Sequence, residues 1–293
     1  MAEPFVVPAS SPSRRWRARL RRGVLVPARR LTAGLRCWPD TLIAGVQKGG
    51  TTPFFRFLAG HPQVLRGLVK EPHYFDRHFA RGPAWYRAHF PLRATRARAA
   101  RRAGGPVRVL DATPDALFDP RAAPRVGRDL PHARSIVLLR DPVDRAYSHY
   151  QMMVARELEP LSFADAVEAE AGRLEGEWEL IRDDPDRLSH PLRLHSYLAR
   201  GRYAEQLARW WAHLPRSSTL VLVSEDARRD PQAAFDRITD HLGIARWRPP
   251  SFAPPNARRY APMDPGLRRE LQARFREPNR ELEALLGREM GWG

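Results

Sequence analysis

From Thr41 onward the chain alternates short apolar runs with longer segments of mixed polarity, the rhythm of βα units. Thr41-Leu42-Ile43-Ala44, Val107-Arg108-Val109-Leu110, Ser135-Ile136-Val137-Leu138-Leu139 and Thr219-Leu220-Val221-Leu222-Val223 are the predicted strands. The third is apolar throughout, as a strand buried on both faces should be. After a glycine-bearing turn at 45–50, Thr51–Leu58 predicts a helix whose first turn accepts Pro53, since the missing N–H is unpaired there anyway, and which ends near Gly60-His61-Pro62.

Asp141-Pro142 opens another helix. Residues 161–213 read as mostly helical with a loop around Asp183–Pro191, and Tyr203, Leu207 and Trp210 fall on one helix face. Further helices run from Asp230 to about Leu242 and, beyond the proline-rich stretch Arg248–Pro255, from about Asp264 to Leu286. The Arg/Ala run at 93–102 predicts a solvated helix or loop. No internal repeat appears. The pattern predicts an α/β fold, a single domain over residues 39–293 with a central, mainly parallel sheet flanked by helices.

Residues 1–38 lack this periodicity and are rich in Arg, Pro, Ser and Ala, which predicts a basic arm that is poorly ordered or wraps the surface. No run approaches the roughly 20 apolar residues of a membrane span. Phe5-Val6-Val7 and Val24-Leu25-Val26 are too short for a secretory signal, so the expected location is the cytoplasm. Cys37 is the single cysteine, which excludes an intramolecular disulfide and predicts a structural thiol; no Cys/His group has zinc-ligand spacing, so no metal is expected.

The formal charge of +17 over 293 residues points to an anionic partner: a phosphorylated or sulfated small molecule, a nucleic acid or a membrane surface. Of the 50 basic residues only Lys48 and Lys70 are lysine. So strong an arginine bias is what a GC-rich genome writes wherever either cation serves, and it singles out the two exceptions. A compact ammonium fits a crowded phosphate-facing turn that a guanidinium does not.

Gly45-Val46-Gln47-Lys48-Gly49-Gly50-Thr51-Thr52 joins a strand to a helix N-terminus, where backbone N–H groups and the positive dipole end favour an anion. It departs from the Walker pattern, because Thr51 stands where the Walker lysine belongs and Lys48 comes three residues earlier. Gly49 and Gly50 allow close backbone approach, and Thr51 and Thr52 add hydroxyl donors.

Leu42–Thr52 resembles the 5'-phosphosulfate-binding motif of sulfotransferases that use 3'-phosphoadenosine 5'-phosphosulfate (PAPS), specifically the heparan sulfate N- and 3-O-sulfotransferase branch. Three further segments resemble that branch in the same order. Ser135–Tyr150, with Arg140-Asp141-Pro142 at a strand end and Ser148 about two helical turns on, resembles the 3'-phosphate motif, which implies that Arg140 and Ser148 hold that group. Lys70-Glu71-Pro72-His73-Tyr74-Phe75-Asp76 resembles the segment carrying the catalytic glutamate, which implies Glu71 as general base with His73 orienting it or the acceptor. Asn256–Asp264 resembles the C-terminal donor loop, implying donor contacts from Ala257, Arg258, Arg259 and Tyr260. Arg200–Leu207 resembles a helix start common in bacterial members.

The resemblance implies a P-loop-like fold and transfer of a sulfuryl group from PAPS to a hydroxyl or amine of a carbohydrate, glycolipid or natural product, without metal. One departure stands out: Asp111-Ala112-Thr113-Pro114 has no lysine before Thr-Pro, where eukaryotic relatives often carry one. Two rival readings are a P-loop-type kinase of a small molecule, which the displaced lysine disfavours, and a basic nucleic-acid-binding protein, supported by the charge and the arginine-rich arm. A small-molecule or saccharide acceptor is therefore the expected partner, with no nucleic acid; no oligomeric state follows from the sequence.

Overall fold

The computed structural model describes residues 21–252 and 260–292. Five strands, β1 (Thr41–Gly45), β2 (Val64–Arg66), β3 (Arg108–Asp111), β4 (Arg134–Leu139) and β5 (Thr219–Val223), form one sheet in the order β2-β3-β1-β4-β5, every neighbouring pair parallel. Four of them are the strands that the apolar runs predict. β2 is the addition: three residues with only Val64 buried, too short and too polar at its end to carry a strand signature.

The order explains where function concentrates. β1 lies between β3 and β4, so the connections leaving β1 and β4 depart in opposite directions and open a crevice at the strands' carboxyl ends. β1 and β4 are buried along nearly their whole length, as a sheet covered on both faces requires. One face packs on a cluster that includes Val109, Tyr86, Val126, Leu207 and Trp210; the other packs on Phe57, Leu58, Phe235 and Ile238. Trp210, Leu207 and Tyr203 are all buried, which is the predicted apolar face of the helix Tyr203–Trp211.

The helices begin where the sequence places them. Asp141 caps Pro142–Val154 by accepting from the amides of Val143 and Asp144, and Asp230 and Asp264 cap Pro231–Leu242 and Pro265–Leu286 in the same manner. The segment 161–213 resolves into several short helices, from Phe163–Glu168 to Tyr203–Trp211. Arg93–Ala103 is a helix with no buried residue; Arg98, Arg101 and Arg102 are exposed, while Arg96 donates to Asp40 at 2.6 Å and to the Val107 carbonyl at 2.9 Å.

Packing also extends before residue 39. Val26 and Cys37 belong to the core cluster, and Arg29 donates to the carbonyls of Ala88 and Phe90 at 2.6 and 2.5 Å. This arginine ties the helix Val26–Arg30 to the surface of the domain. Cys37 is buried, and that burial pushes its thiol up, so it is an inert packing group. Among the described residues no helix is long and apolar enough to cross a membrane.

Candidate active site

The carboxyl ends of β1, β3, β4 and β5 open onto one cleft of about 1010 Å³. Lys48, Gly50, Thr51 and Thr52 line one wall, Lys70, Glu71 and His73 a second, Arg140, Ser148 and Tyr260 a third. The sequence-predicted residues thus converge from four separate segments. Ala257, Arg258 and Arg259 lie outside the described residues.

The loop after β1 is shaped by backbone geometry that few residues tolerate. Lys48 and Gly50 sit at φ +70° and +88°, the left-handed region, while the helix Thr51–Gly60 starts immediately after. A Cβ on Gly49 would lie 2.3 Å from the Leu138 carbonyl oxygen, so the loop presses directly on β4. The amide of Val46 donates to that same carbonyl at 3.1 Å and Ser224 Oγ donates to the Gly49 carbonyl at 2.6 Å. Gly50, Thr51 and Thr52, at the start of the helix, line the cleft, and the first N–H groups of a helix have no partner within it, as an anion seat needs.

Arg140 leaves the end of β4 and reaches back to the Lys48 carbonyl at 3.3 Å, with Asp144 3.9 Å away. Its Nε is buried and carries no hydrogen bond. Tyr203 fixes the turn beneath it by donating to the Arg140 carbonyl at 2.8 Å, so this core tyrosine also supports the site. Ser148 faces the cleft from the helix Pro142–Val154 and is mostly buried. Tyr260 stacks edge-on against Tyr147 at 5.4 Å.

Glu71 stands between two cations. Lys70 Nζ donates to its Oε1 at 2.6 Å, and His73 Nε2 lies 3.6 Å from its Oε2. Burial pushes the Glu71 carboxyl up, but the His73 and Lys70 contacts outweigh it and hold the group below its ordinary value. Burial also opposes charge on His73; its bonds to Asp76, 2.8 Å from Nδ1, and to Glu71 win and raise the ring to about 9. His73 is therefore an imidazolium at neutral pH, locked by two carboxylates. Its backbone, at φ +54°, forms the bend that aims both side chains into one cleft.

A buried network lies behind these residues. Asp115 accepts from Arg200 Nη1 at 2.9 Å and from Arg77, and both guanidinium groups overcome its burial to hold it below its usual range. His73, Asp76 and Asp115 bring three potential ligand atoms within 4.8 Å of one another. The arginines and the histidine already take both oxygens of Asp115 and one of Asp76, so the group fits an ion-pair network better than a divalent cation. Sequence reading passed over Asp76, Arg77, Asp115 and Ser224. Ser224 was the findable one, since it directly follows β5 and strand carboxyl ends line the crevice of such sheets.

Ala112 follows β3, fully buried, and its amide donates to the Lys70 carbonyl at 3.3 Å. Ala112 is thus a packing contact here.

Residues 38–248 match a family model described as "Sulfotransferase domain". Among curated proteins, the human "Heparan sulfate glucosamine 3-O-sulfotransferase 6" is 30% identical over 285 residues, covering 89% of this chain and 75% of the relative. The "Membrane-associated sulfotransferase kil1" of Dictyostelium discoideum is 27% identical over 323 residues, covering 88% and 67%. Among solved structures, a sulfotransferase from Alicyclobacillus acidocaldarius aligns with a TM-score of 0.65 and 29% identity, covering 87% of this chain and 98% of that one.

Proposed function

Because this chain belongs to the sulfotransferase family and is an enzyme that transfers a sulfuryl group, we propose that its cleft takes PAPS as donor and a carbohydrate hydroxyl or amine as acceptor. The observation that carries the reading is the convergence of the Lys48 loop, Arg140 with Ser148, and Glu71 on one cleft from separate segments. A kinase would need its lysine after the glycines, and here Thr51 stands there.

The chemistry follows from charge. Sulfuryl transfer in line asks the protein for positioning and for stabilisation of charge on the leaving phosphate. Lys48 and the amides of residues 50–52 suit the 5'-phosphosulfate end, the Gly49 amide being taken by the Val46 carbonyl at 2.9 Å, while Arg140 and Ser148 suit the 3'-phosphate, which a planar guanidinium grips with two parallel bonds. The acceptor oxygen attacks sulfur, the bond from sulfur to the bridging phosphate oxygen breaks, and the acceptor's proton passes to Glu71. His73 holds Glu71 in place and keeps it ionised. Every charge this scheme needs comes from side chains already in the cleft.

The saccharide acceptor rests on the relatives, one of which acts on the glucosamine of heparan sulfate by its name. Incubating the purified protein with 35S-labelled PAPS and a panel of desulfated and native glycans tests both halves. Label should move to a glycan; transfer of phosphate from ATP in place of it would defeat the reading.

A further inference from the structure

Lys70 is the second of the two lysines and has no part in the scheme above. Its Nζ lies 3.1 Å from Thr52 Oγ1 and 2.6 Å from Glu71 Oε1, so a single ammonium spans the donor loop's helix and the proton acceptor. Its backbone is fixed, since the Lys70 carbonyl accepts from Ala112 at the end of β3, and its ammonium lies 5.9 Å from the centroid of the Phe55 ring. The side chain is one-quarter exposed and lines the cleft. An ammonium has three N–H donors, and two are engaged here, one by Thr52 and one by Glu71.

Resting on the donor assignment above, we propose that Lys70 is a positioning residue that couples donor occupancy to proton uptake at Glu71. An anion seated at Thr51 and Thr52 comes within reach of the same ammonium, which is then shared between two anions. Each weakens the lysine's hold on the other, so the bound donor raises the affinity of Glu71 for the acceptor's proton. The base is thereby held in check until the donor is in place. Coupling of this kind is reciprocal: protonating Glu71 must tighten donor binding by the same factor.

The other charges near Glu71 do not make this link. His73 contacts Glu71 but bonds Asp76 behind it, away from the donor loop. Lys48 and Arg140 face the cleft from the donor side, and Arg77 and Asp115 are committed to the buried ion-pair network. Among the described residues only Lys70 touches both Thr52 and Glu71.

The test is a titration of 3'-phosphoadenosine 5'-phosphate (PAP), the desulfated donor, into wild type, Lys70→Met, Thr52→Val, the double variant and Lys70→Arg. Unchanged circular dichroism and melting temperature establish that each variant folds. Lys70→Met should weaken PAP about tenfold, as expected for a lost charge-assisted contact. Combining it with Thr52→Val should cost less than the product of the two single effects, and Lys70→Arg should restore part of the loss. In wild type PAP should tighten as the pH falls through the range where Glu71 takes up its proton, and in Lys70→Met that dependence should flatten. A Lys70→Met protein with wild-type PAP affinity, or single effects that multiply in the double variant, overturns the proposal. If Lys48→Ala then still weakens PAP, the donor assignment stands without it. Wild type that fails to bind PAP at all overturns that assignment instead.

Discussion

Ser224 Oγ donates a 2.6 Å hydrogen bond to the Gly49 carbonyl, tying the end of β5 to the centre of the loop that follows β1. The bond is buried and crosses the sheet above β4, so it sets the depth of the anion seat. Ser224→Ala leaves the Gly49 carbonyl buried without that partner, a loss of about 1–3 kcal/mol. The expected result is weaker PAP binding by calorimetry and a melting temperature lower by a few degrees. Unchanged PAP affinity would mean that the loop holds its shape without β5.

Gly49 makes the complementary case. An alanine Cβ there meets the Leu138 carbonyl oxygen at 2.3 Å and the Val46 side chain at 2.7 Å, and neither can retreat, because both belong to the buried core around β4. Gly49→Ala should therefore lift the loop off β4 and abolish measurable PAP binding. Calorimetry against wild type at equal protein concentration checks it.

Glu71→Gln keeps the size of the side chain and removes the proposed base. Turnover should fall about 100- to 10,000-fold, the usual worth of a positioned general base, while PAP binding is retained and, with Lys70 released from the carboxylate, tighter than in wild type. Label transfer under single-turnover conditions reads the first and calorimetry the second. A variant with near-normal turnover would remove Glu71 from the proton step.

His73 gives a pH signature with a definite sign. Its folded value of about 9 lies above the ordinary 6.5, so the stability it contributes is fully present below about pH 6.5 and is lost as the pH climbs through about 9. In urea denaturation the gap between wild type and His73→Gln should be widest near pH 6 and nearly closed at pH 10. A gap that stays constant across that range would show that the ring is neutral in the folded protein.

Arg200 supports the wall behind the histidine. Arg200→Met leaves Asp115 buried with Arg77 as its remaining cationic partner, and removing one member of a buried pair typically costs about 3–5 kcal/mol. Thermal unfolding should show a clear loss of stability. Turnover measured at low temperature, where the variant is still folded, should fall less than in Glu71→Gln.

Much of this organisation is legible in the sequence because local chemistry and global fold agree. Apolar runs mark β1, β3, β4 and β5; Asp141-Pro142 marks a helix start; and the displaced Lys48 separates the loop from a nucleoside-triphosphate loop. What stayed hidden was set by tertiary packing. β2 pairs on the strength of its neighbour β3 and has no signature of its own. Asp115 and Arg200 are 85 residues apart and become partners only once the sheet has folded. The double contact of Lys70 likewise needs the donor-loop helix and the Glu71 segment brought together in space.

The most direct test of the central claim compares PAP with adenosine 5'-phosphate, which lacks the 3'-phosphate, by calorimetric titration of wild type and Arg140→Ala. Wild type should prefer PAP by about 100-fold or more, as expected for a buried bidentate phosphate contact, and Arg140→Ala should lose most of the preference. Equal binding of the two nucleotides by wild type, or a preference that survives in Arg140→Ala, would contradict it.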